Sequence, residues 1–350
     1  MSTMQEVAKK AGVSKATVSR VLSGKGYVSD ETRKQVFAAI EAAGYRPHLL
    51  ARNLATSKSQ CIGMVITNTL YSGSYFSEIL SQAAKKVEES GRQLILVDGK
   101  HSAQQEREAI EFLLDLRCDA ILLYPRFLSI DEMDDIIEQT RQPIVVVNRR
   151  LRKHHSHSVC CDHKGSAFNA TQALIDRGHQ RIAFITGSPD SPTALERLAG
   201  YKQALQQAGI AADAQLIVEG KWTPACGAKA VTQLLAQRVA FSALIASNDD
   251  MAVGALKQLT AAGLTVPDRV SLLGFDDIPI APFLRPALSS VKDPVTDMIH
   301  ESIHRLIFML DGGDMLPRRD FISGLILRES VSDAPAPENQ NASRTGPAAC

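Results

Sequence analysis

The chain has 350 residues, more than one domain usually contains, and this length predicts two or three domains. Hydrophobic residues make up 45% of the chain and charged residues 22%, which is typical of a globular protein with ample material for a core. No apolar run approaches the roughly eighteen residues of a membrane span, and the first residues lack the apolar segment of a signal peptide. We therefore expect a cytoplasmic protein that has no membrane partner. The six cysteines show no CxxC spacing, which is typical of reduced thiols.

Charge is distributed unevenly along the chain. Residues 1–60 contain ten Lys and Arg against four Asp and Glu, a net charge of +6, which leaves about −5 on the remaining 290 residues. A small basic segment before a mildly acidic body indicates that the N-terminal segment meets phosphate groups.

Two short helices separated by a tight turn are predicted at the N-terminus. Thr3 and Glu6 have the spacing of a capping box, which begins a helix that Gly12 ends because glycine tolerates positive φ. Ser14 caps a second helix that continues to about Leu22. A helix, a turn containing glycine and a second helix form the helix-turn-helix arrangement.

A third helix is expected from about Asp30 to Gly44, with Val36, Phe37 and Ile40 facing the core. Three helices of this size bury little surface, so the head is expected to be only marginally stable alone.

The second helix of a helix-turn-helix enters the major groove of DNA. Lys15, Ala16 and Arg20 lie on its outward face, and the guanidinium of Arg20 can donate two hydrogen bonds to guanine O6 and N7. Thr17 and Ser19 suit contacts with phosphates or bases. The alternative is a small helical bundle with a solvated polar face, but the concentration of positive charge favours DNA binding.

From Ile62 onward, apolar runs alternate with amphipathic stretches. The runs are continuously apolar, as strands of a parallel sheet covered on both faces are. Two successive βα series of similar length predict two parallel-sheet lobes, with crossovers near Cys161, Ser290 and Phe321. The predicted strands include IGMVIT, LILVDG, AILLYP, PIVVVN, SVCC, IAFITG, SALIASN and SLLGFDD.

Polar side chains close several of these strands, where ligands bind in open α/β sheets. Asn68, Asn148, Asn248 and Asp276 are short and rich in hydrogen-bonding atoms, which suits the hydroxyl groups of a sugar. The alternative is that strand-end Asn and Asp residues cap the helices that follow, as for Asp249 or Asp277.

Larger side chains complete the predicted ligand site. Trp222, the one tryptophan of the chain, offers a flat face to a sugar ring, and the fork of Arg197 fits two adjacent hydroxyls. Aromatic residues would line the N-terminal lobe's side of the cleft, although they could equally belong to the core. These residues are Tyr71, Tyr75, Phe76 and Tyr124, with Arg126 beside them.

Two clusters leave alternatives open. The basic run Arg149, Arg150, Arg152 and Lys153 could bind the phosphate of a phosphorylated sugar or form a solvated loop. Residues 154–163 are rich in His and Cys, which are zinc and copper ligands, but a strand over 158–161 turns adjacent side chains to opposite faces. We therefore expect no metal.

Enzyme motifs are missing from the sequence. No GxGxxG follows a strand, and GxxxxGK[ST] and GxSxG do not occur. The paired carboxylates at 249–250 and 276–277 are neighbours in sequence, which is no evidence for a facing acid–base pair. The sequence predicts a binding protein without a cofactor.

Several segments carry a family resemblance, namely EVAKKAGVS, ATVSRVLSG, VSDETRKQV and GYRPHLLARNL. In these segments the chain resembles the lac/gal repressor family, and the resemblance continues to about residue 330. Within the family, the chain is most similar to members that repress operons for aryl-β-glucosides. The resemblance implies a small all-α helix-turn-helix head plus an α/β periplasmic-binding-protein-like body of two doubly wound parallel-sheet lobes. It further implies a nucleoid-associated repressor of a sugar-utilisation operon, controlled by a small sugar or phospho-sugar effector.

The resemblance also implies partners and mechanism. Two subunits would bind a near-palindromic double-stranded operator as a homodimer, since leucine heptads that form tetramers in the family are not visible. The effector would close the cleft and change the spacing of the heads. A related regulator with another ligand or a co-repressor is the first alternative, and a ligand-binding receptor without a DNA role is the second.

Particular residues match positions of the family. In the hinge, Leu54 matches a leucine that wedges between base steps, where the alternative is a plain linker. Asn148, Arg197, Trp222, Asn248 and Asp276 match ligand positions. The remaining expected DNA contacts are Thr3, Ser14, Tyr27, Val28, Arg33 and Asn53.

The predicted domain boundaries follow from these segments. The helix-turn-helix domain spans 1–46 and the hinge 47–60. The N-terminal lobe spans 61–161 and 291–320, the C-terminal lobe spans 162–290 and 321–332, and a disordered tail spans 333–350.

Overall fold

The structure is a computed structural model that describes residues 3–23, 26–44, 59–67, 73–313 and 316–335. None of the helices in these ranges is long and apolar enough to cross a membrane. Some predictions fall outside the described residues. These concern most of the hinge with Asn53 and Leu54, the cleft residues Asn68 and Tyr71, and the tail from 336 onward.

The head consists of three helices, α1 (Met4–Lys10), α2 (Lys15–Ser23) and α3 (Asp30–Ala43). The Thr3 hydroxyl accepts from the backbone N–H of Glu6, and the Glu6 carboxylate accepts from the backbone N–H of Thr3. This reciprocal pair is the predicted capping box. Gly12 and Gly44 have φ values of +65° and +57° at the helix ends.

The core of the head differs from the prediction at one position. Val36 is fully buried, but Phe37 is 51% exposed, and Ala39 is buried in its place. Val36, Ala39 and Ile40 are spaced by three and four residues and share one face of α3, whereas Phe37 lies beside that face. The placement of Phe37 in the core was therefore wrong.

The N-terminal lobe is built on a parallel sheet. Its strands are β1 (Cys61–Ile66), β2 (Gln93–Asp98), β3 (Ala120–Tyr124), β4 (Ile144–Val147), β5 (Ser158–Cys161) and β11 (Arg319–Phe321). Within the described residues their order is β11-β5-β4-β3-β1-β2. Helices cover both faces, so the strands are apolar on both sides. The helices are α4 (Ser74–Glu89) and α11 (Val295–Leu310) on one face and α5 (Ala103–Asp115) and α6 (Ile130–Gln139) on the other.

The C-terminal lobe repeats this plan. Its strands are β6 (Ile182–Thr186), β7 (Ile217–Glu219), β8 (Ala243–Ala246), β9 (Ser271–Phe275), β10 (Ser289–Lys292) and β12 (Gly324–Ile326). In the part of the chain that the structure describes, the order is β12-β10-β9-β8-β6-β7, and only β12 runs antiparallel to its neighbour. Its helices are α7 (His163–Ile175) and α8 (Pro192–Gln207) on one face and α9 (Pro224–Ala236) and α10 (Asp249–Ala261) on the other.

The chain crosses between the lobes after β5, after β10 and between β11 and β12. Val291 pairs with Leu325 in the C-terminal sheet, and Phe321 pairs with Cys161 in the N-terminal sheet. The predicted boundary at 290/291 is therefore two residues too early, because residues 291 and 292 belong to the C-terminal sheet. The predicted boundary at 320/321 is one residue too early, because Phe321 belongs to the N-terminal sheet. Strand register sets these crossings to the residue, and the dipeptides Asp293-Pro294 and Ser323-Gly324 lie beside them.

The residues that follow β12 pack on the C-terminal lobe. The backbone N–H of Ala334 donates to the carbonyl oxygen of Arg177 at 2.8 Å, and buried His179 lies 3.0 Å from the carbonyl oxygen of Ser332. The prediction of disorder from residue 333 therefore began too early, because His179 and Arg177 provide partners for this backbone.

Candidate functional site

The outward face of α2 presents the residues predicted to contact DNA. Ser14 begins the helix by accepting from the backbone N–H of Thr17 at 3.0 Å. Lys15, Ala16 and Arg20 are exposed, whereas Val18 on the opposite face is fully buried. Apolar packing therefore fixes which face of α2 remains for a partner.

The other predicted contacts of the described head lie around this helix. Tyr27 is 94% exposed, so its side chain is accessible to a partner. Thr3 and Arg33 are exposed, Ser19 is half-buried, and Val28 packs against the core of the head. Val28 therefore supports the fold of the head as well as lying near its surface.

A cavity of about 80 Å³, open to solvent on one side, lies between the two lobes of the body. It brings together seven of the eight predicted effector residues, and the eighth, Asn68, lies outside the described ranges. The seven are Tyr75, Tyr124, Asn148, Arg197, Trp222, Asn248 and Asp276. Five further lining residues were not assigned to the ligand by sequence reasoning, namely Pro125, His163, Ser191, Thr193 and Asp250. Of these, all but Pro125 lie at helix N-termini, a position that could have indicated them.

A chain of hydrogen bonds runs along the cavity through Asn148. The Asn148 amide nitrogen donates to the Tyr124 hydroxyl at 2.9 Å, and its oxygen accepts from Nε2 of His163 at 2.6 Å. The Tyr124 hydroxyl lies 3.2 Å from that of Tyr75. Burial raises the pKa of both tyrosines and lowers the pKa of His163 to about 4. These groups are therefore neutral at physiological pH.

Arg197 is held by acidic groups rather than open to a ligand. Its Nη2 donates to Asp293 at 2.6 Å and lies 3.6 Å from Asp276, and Nη1 donates to the carbonyl oxygen of Ser247. Burial alone would raise the pKa of Asp293, but Arg197, followed by His163 and Ser323, holds it below its usual value. Burial raises the pKa of Asp276 well above its usual value. Asp276 is therefore the less firmly ionised partner of Arg197.

Asn248 and Trp222 form the opposite wall. The Asn248 side chain caps α10 by accepting from the backbone N–H of Met251 at 3.0 Å, and it donates to the carbonyl oxygen of Trp222 at 3.0 Å. The indole of Trp222 packs directly on Gly187, where an added Cβ would lie 1.9 Å from the ring. Asn148, Trp222 and Asp276 all have positive φ values, between +64° and +100°. Strained backbone of this kind clusters at ligand sites.

The capping alternative applies to Asn248 rather than to the neighbouring acids. Asp249 accepts from the backbone N–H of Ile278 at 3.0 Å and from the Ser290 hydroxyl at 2.8 Å. Asp277 accepts from Arg328 at 2.6 Å. These two acids hold the loop after β9 in place.

The basic run after β4 divides into two parts. Arg149 lines the cavity, whereas Arg150 lies 3.7 Å from Asp320 on the surface. Arg152 pairs with Asp131, and Lys153 pairs with Glu138. Only the first residue of the run is therefore available to a ligand in the cavity.

The His-rich segment forms a turn around one carboxylate. Asp134 accepts from the backbone N–H groups of Arg152, Lys153 and His154 and from Nδ1 of His154 at 2.9 Å. Across the described ranges, no group of three His, Cys, Asp or Glu side chains is arranged to hold a metal ion.

A helix-turn-helix head and a two-lobed α/β body with a polar cleft define a class of DNA-binding regulators that respond to a ligand. The family described as "Bacterial regulatory proteins, lacI family" matches residues 3–48, and the "Periplasmic binding protein-like domain" matches residues 171–331. The HTH-type transcriptional regulator AscG of Escherichia coli K12 is 65% identical over 95% of this chain and 98% of its own length. The chain belongs to the lacI family of bacterial regulatory proteins.

Two solved structures extend the comparison. The lac repressor dimer bound to operator and the anti-inducer ONPF is 26% identical and has a TM-score of 0.84, covering 94% of this chain and 99% of that one. The transcriptional regulator CelR in complex with cellobiose is 30% identical and has a TM-score of 0.69, covering 94% of this chain and all of the other. The predicted fold class is confirmed, and the protein is a DNA-binding transcriptional regulator.

Proposed function

We propose that this protein represses an operon for sugar utilisation and that a small sugar, a β-glucoside, controls its affinity for operator DNA. The observation that carries the proposal is the cavity between the lobes, lined by Tyr, Asn, Asp and Trp side chains of the kinds that bind sugar hydroxyls and rings. The cellobiose bound by CelR is a β-glucoside and supports this class of effector.

The proposed DNA partner is a near-palindromic operator bound by a homodimer. The exposed face of α2, with Lys15 and Arg20, would enter the major groove of each half-site. The hinge around Leu54 would occupy the minor groove, a role that rests on the family resemblance alone. A basic head also supports a location on the nucleoid in the cytoplasm.

The proposed mechanism couples the two sites through the relative position of the lobes. The chain crosses between the lobes three times, so the lobes are linked but can move relative to each other. A ligand that draws them together moves the N-terminal lobe relative to the C-terminal lobe, and the head is joined to the N-terminal lobe. The coupling between effector and operator must be reciprocal, so operator DNA weakens the binding of an inducer by the same factor. The protein acts by binding, and the proposal requires no enzymatic step or cofactor.

We also propose the domain organisation that this mechanism needs. The helix-turn-helix domain spans 1–46 and the hinge 47–60. The N-terminal lobe comprises 61–161 and 293–321, and the C-terminal lobe comprises 162–292 and 322–335, which adjusts the predicted boundaries to the strand register.

The test is operator binding by the full-length protein with and without a β-glucoside. A palindromic duplex is first selected from a random library, and its affinity is measured over a salt series. We expect a steep fall in affinity with salt and a further fall on addition of salicin, cellobiose or their 6-phosphates. An increase on addition would indicate a co-repressor. No salt-sensitive preference for any palindrome would refute the DNA-binding role of the head.

A further inference from the structure

Two histidines lie one helical turn apart on the outer side of α11. His300 and His304 are the only histidines of the chain that are four residues apart. Residues at this spacing are neighbours on a helix, with Cβ atoms roughly 5–6 Å apart. Ile299, Ile303 and Leu306 of the same helix are buried in the core of the N-terminal lobe, whereas His300 is half-buried and His304 is exposed. The helix therefore presents the two imidazoles together at its surface.

Hydrogen bonds from α4 fix the orientation and the tautomer of His300. The Gln82 amide nitrogen donates to the Glu78 carboxylate at 3.0 Å, so the amide oxygen is the atom that lies 3.0 Å from Nε2 of His300. An amide oxygen only accepts, so Nε2 carries the proton of the neutral ring and Nδ1 carries the lone pair. The Thr296 hydroxyl holds the same carboxylate at 2.9 Å.

This arrangement is the one that holds histidines in metal sites. A metal-binding imidazole almost always donates its other ring N–H to an oxygen acceptor, which fixes the ring and raises its basicity. Gln82 is that acceptor for His300, and Glu78 in turn fixes Gln82. One imidazole of the pair is thus oriented before any ion binds.

The second imidazole is placed to close on an ion. The ring of His304 stacks with that of Phe308, with centroids 6.3 Å apart, at an exposed position where it has room to turn. Side chains of a helix lean toward its N-terminus, which is the direction of His300. A change of rotamer at His304 alone would therefore bring the two rings together.

The residues 300–304, His-Glu-Ser-Ile-His, have the spacing of the zinc-binding helix of metalloproteases, where the glutamate acts as a general base. Here the Glu301 carboxylate accepts from Nε of Arg305 at 2.8 Å and lies 3.6 Å from Nη1 of Arg319. The helix also covers a face of the sheet and does not line a cleft. The pair is placed for binding an ion and not for hydrolysis.

We propose that His300 and His304 bind one divalent transition-metal ion on the outer surface of the N-terminal lobe. Imidazole suits Zn²⁺, Cu²⁺ and Ni²⁺, whereas Mg²⁺ and Ca²⁺ prefer oxygen ligands. Glu89 of α4 is held by Lys86 at 2.9 Å and is not assigned to the site, so water completes the coordination of the ion. An ion that binds only the folded helix stabilises the lobe.

The test is calorimetric titration of the full-length protein with Zn²⁺ and, in a separate series, with Ni²⁺. We expect one such ion per subunit and no binding of Mg²⁺ at this site. Loss of an outer-shell partner costs roughly 10–100-fold in metal affinity. Gln82→Ala should therefore weaken Zn²⁺ binding about tenfold, and His300→Ala and His304→Ala should each weaken it by more.

His155→Ala is the matched control, because His155 is an exposed histidine of the same lobe within the His-rich segment. It should keep the full affinity for Zn²⁺. Electron paramagnetic resonance of Cu²⁺ bound to the unmodified protein should show ligation by two imidazoles, a measurement that stands even if a substituted protein fails to fold.

Several outcomes would overturn the inference. They are an unchanged affinity for Zn²⁺ in His300→Ala and His304→Ala, an equal loss in His155→Ala, ligation of Cu²⁺ by fewer than two imidazoles, or no binding of Zn²⁺ in excess. None of them bears on operator binding or on control by a sugar, because the pair belongs neither to α2 nor to the lining of the cavity.

Discussion

Nη2 of Arg126 in the N-terminal lobe lies 2.8 and 3.0 Å from the two carboxylate oxygens of Asp190 in the C-terminal lobe. The side chain of Arg126 is 11% exposed and that of Asp190 51% exposed, so the pair lies at the mouth of the cavity. Glu106 accepts from the backbone N–H of Arg126 at 2.7 Å and holds the loop that carries it. This ion pair joins the two lobes across the mouth of the cavity.

Removal of the interlobe ion pair should weaken effector binding. We expect Asp190→Asn to raise the Kd of the effector up to about fivefold, because a partly exposed ion pair contributes roughly 0.2–1 kcal/mol. Titration of Trp222 fluorescence measures the effect. Glu89→Gln removes an ion pair with Lys86 within one helix and is the control. An equal change in both variants would contradict a role for Asp190 in closure.

Substitutions in α2 should separate base recognition from phosphate contact. Arg20→Ala is expected to lose about 1–3 kcal/mol of discrimination between operator and scrambled DNA. Lys15→Ala should weaken binding to operator and to scrambled DNA alike, and it should reduce the slope of log affinity against log salt concentration by about one. Both effects are measured by fluorescence anisotropy over a salt series, with Lys85→Ala on the exposed surface of the body as the control. Unchanged discrimination in Arg20→Ala would show that its role was assigned wrongly.

A methyl group at Gly187 should displace Trp222. The added Cβ would lie 1.9 Å from the indole, and such overpacking costs roughly 1–3 kcal/mol unless the ring moves. We expect Gly187→Ala to shift the emission of Trp222 and to weaken effector binding about tenfold, while operator binding persists. Gly324→Ala, where the added Cβ meets open space, is the control. Unaltered emission would mean that the indole does not rest on Gly187.

Protonation of His163 should destabilise the body at acidic pH. The folded protein holds its pKa at about 4 through burial, against 6.5 in the unfolded chain. The unfolded state therefore binds more protons between these values, and the free energy of unfolding falls as pH drops from about 6.5 to 4. The loss attributable to this residue approaches about 3 kcal/mol.

The comparison is with His163→Gln, which keeps a donor for Asn148 but does not titrate. Urea unfolding of both proteins between pH 4 and 7.5 gives the difference between their free energies of unfolding at each pH. Burial raises the pKa of Asp249 to about 7, which produces the opposite slope, but this contribution is common to both proteins and cancels. Parallel pH profiles would refute a neutral buried His163.

The carboxylate of Asp119 anchors the point where the linker joins the body. It accepts from the backbone N–H groups of Ser59 and Gln60 at 2.8 and 2.9 Å and from the Ser59 hydroxyl at 3.1 Å. We expect Asp119→Ala to weaken operator binding several-fold and to leave the Kd of the effector unchanged, since the cavity lies at the other end of the strands. Asp115→Ala on exposed helix surface is the control. Loss of effector binding in Asp119→Ala would indicate general damage to the lobe.

The sequence by itself determined the elements and much of the wall of the cleft. Caps such as Ser14 and Ser29 and continuous apolar strands are local signals, because a hydrogen bond to the third residue or burial on both faces depends on nearby positions. Polar residues at strand ends share one edge of a parallel sheet, so the sequence alone predicts that Asn148 and Asp276 lie in a cleft.

Only the tertiary structure decided which charges meet. Arg126 pairs with Asp190 across 64 positions and Arg197 with Asp293 across 96, separations over which no periodic pattern carries information. The tertiary structure also places the side chain of Arg149 at the cavity and that of Arg150 at the surface, because successive side chains just beyond a strand point to opposite sides. The electrostatics of the cleft therefore depends on packing between residues that are distant in the chain.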